Sequence, residues 1–331
     1  VLPVDPRLPP TARAALLDRL GAGRPVEAGD AVVVATSGTT GAPKGVVLTR
    51  QALAAAAEAV SRRLAVDPAT DHWLACLPLS HVGGLGVVTR ALLTGTRLTV
   101  RPAFDPAVDA TLVSLVPTLL ERVDASKFRV VLAGGSADWR ARAPNVVHTY
   151  GLTETGGGVV YDGVPLDGVE VRADGDGELH VRGPMLLRAY RDGTDPKDAE
   201  GWLRTGDLGQ VTVDGRVVVG GRRSELIVTG GENVWPADVE QVLRAHPAVA
   251  DVAVTGRPDP EWGQRVVAVV VPADAATPPG LGDLRSWVKQ RRPAFCAPQE
   301  VLLTHRLPRT EGGKVARDRL LAAPEPKRAQ E

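Results

Sequence analysis

Cysteine, lysine, aromatic residues and net charge are all scarce in this chain of 331 residues. The two cysteines, Cys76 and Cys296, are too few for a disulfide scaffold and lack the spacing of metal ligands, so two reduced thiols are expected. Basic and acidic residues balance at 39 each and only 4% of residues are aromatic, which argues against a nucleic-acid or acidic-membrane partner. No apolar run approaches the ~18 residues of a membrane-spanning helix and no secretion signal is visible, so a cytoplasmic location is expected.

The order of strand-like and helix-like segments predicts an α/β fold. Short β-branched runs, such as residues 31–35 and 129–133, alternate with helical stretches, as in a parallel or mixed sheet. Between residues 159 and 219, repeated Asp-Gly turns favour antiparallel hairpins. We therefore predict a large α/β amino-terminal domain with a β-rich subdomain over residues 1–223, and a small mobile α+β domain over residues 224–331.

The second domain has its own alternation of elements. Its predicted elements are a helix at 236–244, strands at 249–255 and 265–271, a helix at 284–291, a strand at 300–304 and a last helix from Lys314. The polar tail from residue 322 is expected to be disordered.

A glycine- and hydroxyl-rich loop follows the first predicted strand. Three glycines, four hydroxyl residues and Lys44 lie within residues 36–45. Glycine lets backbone N–H groups turn toward an anion, hydroxyls donate hydrogen bonds and lysine supplies charge, so the string predicts a phosphate-binding loop. It is not a Walker A loop, because the Gly-Lys-Ser/Thr ending is absent. The alternative is a solvated turn.

Three further strings carry chemistry. Glu154 follows Tyr150 by four positions. Tyr150 offers a ring that can stack on a purine, and Glu154 offers an oxygen ligand suited to Mg²⁺. Asp207 and Arg222 could hold a ribose, and Lys314 on a Gly-Gly loop could reach into a cleft to stabilise developing charge. Taken singly, each has an ordinary alternative, such as a buried tyrosine, a turn aspartate or a solvated lysine.

In this order and spacing, the four strings resemble the acyl-adenylating superfamily of acyl-CoA synthetases, luciferases and peptide-synthetase adenylation domains. The resemblance spans about residues 32–320. It implies that a carboxylate attacks the α-phosphate of ATP to give acyl-AMP and pyrophosphate, and that the thiol of coenzyme A then displaces AMP. ATP, Mg²⁺ and coenzyme A are thus the expected cofactor and co-substrates, with free coenzyme A favoured over a carrier protein.

The resemblance assigns a role to each matching residue. The expected nucleotide-binding residues are Thr36, Ser37, Gly38, Thr39, Thr40, Gly41, Lys44, Gly134, Gly135, Ser136, Tyr150, Gly151, Asp207 and Arg222. The expected catalytic residues are Lys314, Thr153, Glu154 and His81, with Glu154 also the Mg²⁺ ligand. Domain rotation is expected at Ser224.

Two further strings, Leu77–Gly86 and Gly221–Pro236, resemble one subfamily, the o-succinylbenzoate–CoA ligases of menaquinone biosynthesis. Its substrate-binding residues would be His81, Arg90 and Thr118, with Arg90 receiving the second carboxylate of the substrate; the alternative is that Arg90 is an ordinary helix-surface residue. Another aryl- or acyl-CoA ligase, or an inactive nucleotide-binding homologue, remains an alternative for the whole chain.

The resemblance also sets expectations for the assembly. Fewer residues precede the phosphate loop than is usual in the superfamily, so a reduced amino-terminal subdomain is expected. The expected partners are a small carboxylic acid, ATP and coenzyme A, with no nucleic acid and no membrane, and a homodimer is left open.

Overall fold

The computed structural model describes residues 1–37, 43–134, 143–309, 315–322 and 327–328. The chain divides into two compact units, Val1–Val219 and Gly220–Glu331. The boundary between the units lies four residues before the one that we predict from the sequence. Within the described ranges, no helix has the length and apolar character needed to cross a bilayer.

The first unit is built mainly from strands. Its helices are α1 (Pro10–Arg19), α2 (Arg50–Arg63), α3 (Val82–Thr94) and α4 (Pro117–Leu120). Its strands are β1 (Asp30–Ser37), β2 (Pro43–Thr49), β3 (His72–Ala75), β4 (Arg97–Val100), β5 (Leu112–Leu115), β6 (Val130–Gly134), β7 (Val146–Leu152), β8 (Gly157–Tyr161), β9 (Val164–Pro165), β10 (Glu170–Ala173), β11 (Glu178–Arg182), β12 (Ala189–Tyr190) and β13 (Leu203–Val211). Strand β14 (Val217–Arg222) runs across the boundary.

A seven-stranded sheet forms the centre of the first unit, in the order β4-β3-β5-β6-β7-β8-β9. Strands β4 to β7 are parallel to one another, and β8 and β9 add antiparallel. The parallel strands are short, nearly continuous apolar runs because both faces of such a sheet are covered. Trp73 and Leu112 are completely buried in the core that the sheet shares with α2 and α3.

Two smaller sheets complete the first unit, one of order β1-β2-β12 and one of order β10-β11-β13-β14. In the first of these, Gly45 of β2 allows the close approach of Arg191, since a Cβ at Gly45 would lie 2.9 Å from the Cβ of Arg191. The guanidinium of Arg191 donates to four backbone carbonyls of residues 20–25 and so fixes this segment against the strand pair.

The second unit is a small α+β fold. Its helices are α5 (Pro236–Arg244) and α6 (Leu281–Lys289), and its remaining strands are β15 (Ile227–Thr229), β16 (Glu232–Val234), β17 (Val249–Asp259), β18 (Gly263–Pro272), β19 (Glu300–Leu303) and β20 (Lys327–Arg328). The sheet order is β16-β15-β18-β19-β20, with β17 paired to β18. Valines of β17 and β18 pack against α5 and α6 to form its core.

The α/β class predicted from the sequence, with its β-rich part and its α+β carboxy-terminal unit, is confirmed. Two local predictions are wrong. Residues 315–322, where a last helix was expected, contain only the 3-10 turn Arg317–Arg319, because the Arg317 side chain is drawn into contacts with Glu240 and with the carbonyl oxygen of Val254. The tail is not wholly without structure, since β20 pairs with β19.

Candidate active site

The described residues on either side of the phosphate-loop string form a pair of neighbouring strands. Strands β1 and β2 pair antiparallel, with Thr36 opposite Lys44 and Ser37 opposite Pro43. The two ends of the loop are therefore held side by side, and Lys44 is fixed in a strand. Gly38, Thr39, Thr40 and Gly41, together with the side chain of Ser37, lie outside the described part of the chain.

The parallel strands β6 and β7 bring a second group of predicted residues together at their carboxyl ends. Gly134 pairs with Thr149, and a Cβ at Gly134 would lie only 3.1 Å from the Thr149 hydroxyl oxygen. Tyr150 follows directly in β7, and its side chain packs against the core of the first unit. Gly135 and Ser136, predicted to line the same place, are outside the described residues.

Tyr150 and Asp207 contact one another although 57 positions separate them in the sequence. The Tyr150 hydroxyl donates to Asp207 Oδ2 at 2.8 Å, and Asp207 is 5% exposed. Asp207 lies within β13 rather than in a turn, and its backbone N–H donates to the Thr205 hydroxyl at 3.0 Å. The structure thus joins the predicted adenine-stacking ring to the predicted ribose-binding carboxylate.

Glu154 is held in a tight turn between β7 and β8. Residues Thr153–Thr155 form a 3-10 turn, and the Thr155 hydroxyl closes it by accepting from the Leu152 backbone N–H at 2.8 Å. Gly151 has to be glycine, because a Cβ there would lie 1.9 Å from the carbonyl oxygen of Gly157. The turn points Glu154 toward β12.

Tyr190, which sequence reasoning missed, connects two predicted residues. Its hydroxyl donates to Glu154 Oε1 at 3.0 Å, and the Lys44 ammonium lies 4.7 Å from the centre of its ring. Burial, the Glu154 charge and the hydrogen bond to Glu154 raise the pKa of Tyr190 above its ordinary value. No motif in the sequence marks Tyr190, and only the pairing of β12 with β2 reveals it.

Arg90, in the middle of α3, is half-buried as a whole residue. Its guanidinium lies 4.7 Å from the centre of the Trp73 ring, and Nη1 is buried with no hydrogen-bond partner among the described residues. No carboxylate in the described ranges forms an ion pair with it. Burial lowers the pKa of Arg90. Arg90 is therefore not the solvated helix-surface residue of the alternative interpretation.

A cavity of about 20 Å³ lies beside Arg90, between α2, α3 and the glycines at the start of β8. Gly86 and Thr89 of α3 line it with Arg90, and Gly156 and Gly158 line the opposite wall. A space of this size holds a water molecule or a group of a few atoms. Because Gly156 lies two residues after Glu154, the cavity shares a wall with the turn that carries Glu154.

The remaining predicted residues belong to other elements or lie outside the described ranges. His81 is exposed and precedes the first turn of α3. A hydrogen bond from Arg7 is the main cause that lowers the pKa of Asp5 to about 2, and an electrostatic interaction with His81 makes a smaller contribution. Thr118 lies in α4, and its side chain is outside the described part. Arg222 belongs to the second unit, and Lys314 is outside the described residues.

The described residues that flank Lys314 on either side pair with each other. Arg309 and Val315 form an isolated antiparallel bridge, and Arg309 pairs with Asp251 at 2.7 Å. Arg317 pairs with Glu225, one residue beyond the predicted hinge, at 3.1 Å.

The α/β unit and the small α+β unit that follows it correspond to the two domains of a known enzyme family. Residues 11–191 match the AMP-binding enzyme family, and residues 238–314 match the AMP-binding enzyme C-terminal domain. The chain belongs to this family, and it is an adenylate-forming acyl-CoA ligase.

Among curated relatives, a probable 2-succinylbenzoate–CoA ligase of Mycobacterium tuberculosis is 38% identical, over 94% of this chain and 89% of that protein. An indoleacetate–CoA ligase of Aromatoleum aromaticum is 35% identical, over 86% of this chain and 65% of that protein. Ligases with different acids are thus similarly close to this chain.

Solved structures of the o-succinylbenzoate–CoA synthetase of Bacillus subtilis are also similar. The complex with the acyl-adenylate OSB-AMP has a TM-score of 0.80 at 31% identity and covers 89% of this chain and 70% of that one. The complex with ATP and magnesium has a TM-score of 0.79 at 29% identity and covers 96% of this chain and 78% of that one. A double mutant of that enzyme bound to the product analogue OSB-NCoA has a TM-score of 0.54 at 30% identity and covers 91% of this chain and 70% of that one.

Proposed function

We propose that this chain acts as a 2-succinylbenzoate–CoA ligase (2-succinylbenzoate is also called o-succinylbenzoate). The observation that carries the proposal is the half-buried guanidinium of Arg90, whose buried Nη1 has no hydrogen-bond partner, which has no counter-charge in the described ranges, and which borders a cavity. The second carboxylate of 2-succinylbenzoate would supply both the missing charge and a hydrogen-bond acceptor. The similarity to 2-succinylbenzoate–CoA ligases supports the same substrate.

In the first half-reaction, an oxygen of the succinyl carboxylate attacks the α-phosphorus of ATP, and the bond to the bridging oxygen breaks to release pyrophosphate. Lys44 and the loop that precedes it would bind the leaving pyrophosphate. ATP enters as its magnesium complex, and Glu154 would contribute a carboxylate oxygen to that cation, which commonly takes one or two protein carboxylates in addition to phosphate oxygens. The magnesium–ATP complex of the Bacillus subtilis enzyme supports this assignment.

The nucleoside would lie across the ends of β6 and β7. Tyr150 offers a ring face for adenine, and Gly134 leaves an open backbone edge beside it. Asp207 would accept from the ribose hydroxyls, and its hydrogen bond from Tyr150 fixes base and sugar sites relative to each other. Arg222 would donate to the same sugar.

In the second half-reaction, the sulfur of coenzyme A attacks the acyl carbon and AMP leaves with the electrons of the broken C–O bond. Lys314 would serve the first step, where it bridges carboxylate and phosphate oxygens as negative charges are brought together. The second unit would then rotate at Ser224 and present the segment 230–235 for thioester formation. His81, Thr153 and Thr118 would contact the reacting end of the acid.

A second candidate is an arylacetate–CoA ligase, which the 35% identity to the indoleacetate–CoA ligase favours. Indoleacetate has a single carboxylate, so its binding would leave Arg90 without a partner. The two candidates therefore differ in what they require of Arg90.

The test compares wild type with Arg90→Leu for 2-succinylbenzoate and for 3-benzoylpropionate, which lacks only the aromatic carboxylate. We expect the variant to raise the KM for 2-succinylbenzoate by about 10- to 100-fold, the loss of a charged hydrogen bond in a buried site, while the KM for ATP stays within about twofold. The KM for 3-benzoylpropionate should hardly change. Equal effects on acid and ATP, or on both acids, would refute the proposed substrate.

A further inference from the structure

We propose that Tyr190 is a positioning residue that holds Lys44 and Glu154 at a fixed separation and so keeps both charges available to the magnesium complex of ATP. The inference rests on the proposed function, because it takes Lys44 as a phosphate ligand and Glu154 as a magnesium ligand. The juxtaposition itself is a feature of the described residues.

The backbone fixes the Tyr190 ring. Tyr190 lies opposite Val46 in the β12–β2 pair, so its side chain emerges on the same face of the sheet as Lys44, two residues away. The Tyr190 N–H donates to the Thr194 carbonyl at 2.8 Å, and the next N–H, that of Arg191, donates to the Gly45 carbonyl at 2.7 Å. The ring is half-buried against the core of the first unit.

The Tyr190 hydroxyl orients Glu154. It donates to Oε1 at 3.0 Å, which leaves Oε2 of the same carboxylate directed elsewhere. A tyrosine phenol is uncharged and donates its proton in a hydrogen bond at neutral pH, since its ordinary pKa is about 10. Tyr190 can therefore constrain Glu154 without adding charge beside an ATP site.

The ring face of Tyr190 holds Lys44. The Lys44 ammonium lies 4.7 Å from the ring centre, a cation–π contact that engages the charge without using up N–H donors. Asp192 lies near enough for the Lys44 charge to contribute to its lowered pKa, which hydrogen bonds from Thr194 mainly cause.

Tyr190 thus separates two opposite charges that would otherwise attract each other. Lys44 and Glu154 both contact Tyr190, yet no ion pair joins them among the described side chains. A direct Lys44–Glu154 pair would neutralise the charges that the phosphates and the metal need. A residue that merely filled the space could be phenylalanine, so the hydroxyl is the feature that distinguishes positioning from packing.

The experiment uses Tyr190→Phe, which keeps the ring and removes the donor, and Tyr190→Leu, which removes both. Tyr161→Phe removes a fully buried phenol that lies near Arg90 rather than against Lys44 or Glu154, and it is the matched control for magnesium dependence. The readouts are the free Mg²⁺ concentration for half-maximal ATP–pyrophosphate exchange, the KM for ATP, and calorimetric binding of ATP with and without Mg²⁺ in the absence of acid.

For Tyr190→Phe we expect the half-saturating Mg²⁺ concentration to rise about fivefold, the equivalent of one ordinary hydrogen bond, with the KM for the acid unchanged. For Tyr190→Leu we expect an additional rise of about fivefold or more in the KM for ATP. Tyr161→Phe should keep the wild-type magnesium dependence. Wild-type magnesium dependence in folded Tyr190→Phe, or an equal shift in Tyr161→Phe, would overturn the inference.

The calorimetric arm separates the two levels of the argument. If the wild-type protein binds ATP more tightly with Mg²⁺ and Tyr190→Phe loses that gain, the inference stands even where no tested acid supports exchange. If the wild-type gain persists in Tyr190→Phe, the inference fails while the proposed function is untouched.

Discussion

Replacing Arg90 by methionine should make the substrate-free protein more stable. Arg90 as a whole is half-buried, but its Nη1 is buried without a partner, so removing the charge restores up to several kcal/mol of desolvation, because an ion that leaves water without a counter-ion is costly. The contact with Trp73 that would be lost is worth about 2 kcal/mol in a desolvated setting, and the unpaired Nη1 disappears with the charge. The net expectation is a gain of about 1–3 kcal/mol in the free energy of unfolding.

Calorimetry and urea unfolding measure this gain. For a unit of this size, Val1–Val219, each kcal/mol corresponds to about 2–4 °C in Tm, so a rise of about 2–12 °C is expected. Arg13→Met is the matched control, since Arg13 is exposed on α1 and its loss should change stability by less than about 0.5 kcal/mol. A loss of 1 kcal/mol or more in Arg90→Met would refute the view that Arg90 is held without a counter-charge.

Three other outcomes follow from the same reasoning. Lys314→Ala should abolish ATP–pyrophosphate exchange yet still convert supplied acyl-AMP to the coenzyme A ester, and loss of both half-reactions together would contradict the division of labour between them. Asp30→Asn should lower the free energy of unfolding at pH 7 by about 1–3 kcal/mol. Because the hydrogen bonds from Arg188 lower the pKa of Asp30, the difference from wild type should shrink as the pH falls from about 4 through that lowered pKa, and a difference that stayed constant down to acid unfolding would be inconsistent with it. Gly45→Ala should lower the free energy of unfolding, measured by chemical denaturation, by about 1–3 kcal/mol, because the new methyl group would lie 2.9 Å from the Cβ of Arg191. An unchanged denaturation midpoint would mean that β2 can move away from Arg191 to make room for the methyl group.

Much of the fold follows from local patterns in the sequence. Short β-branched runs predict the central strands, and the helix at 236–244 has the bounds that the sequence predicts. These elements are predictable because a proline at the first turn or a run of apolar residues acts within a few positions. The helix expected after Lys314 fails because Arg317 is held by distant carboxylates, which override its local helical preference.

The site is less predictable because its contacts join distant parts of the chain. The phosphate loop, Glu154 and Asp207 carry recognisable chemistry in their own strings. Tyr190 does not, since its contacts with Lys44 and Glu154 exist only once β12 has paired with β2. The sequence likewise suggests a cation at Arg90, but only the packing of α3 on Trp73 shows that this cation is half-buried.

The central claim is that this ligase activates an acid with two carboxylates. The most direct test is pyrophosphate release and coenzyme A ester formation by the wild-type protein with magnesium–ATP, coenzyme A and, in turn, 2-succinylbenzoate, 3-benzoylpropionate, indoleacetate and a fatty acid. We expect the highest kcat/KM for 2-succinylbenzoate, at least about tenfold above that for 3-benzoylpropionate. A preference for indoleacetate or the fatty acid, or no pyrophosphate release with any acid, would contradict the account.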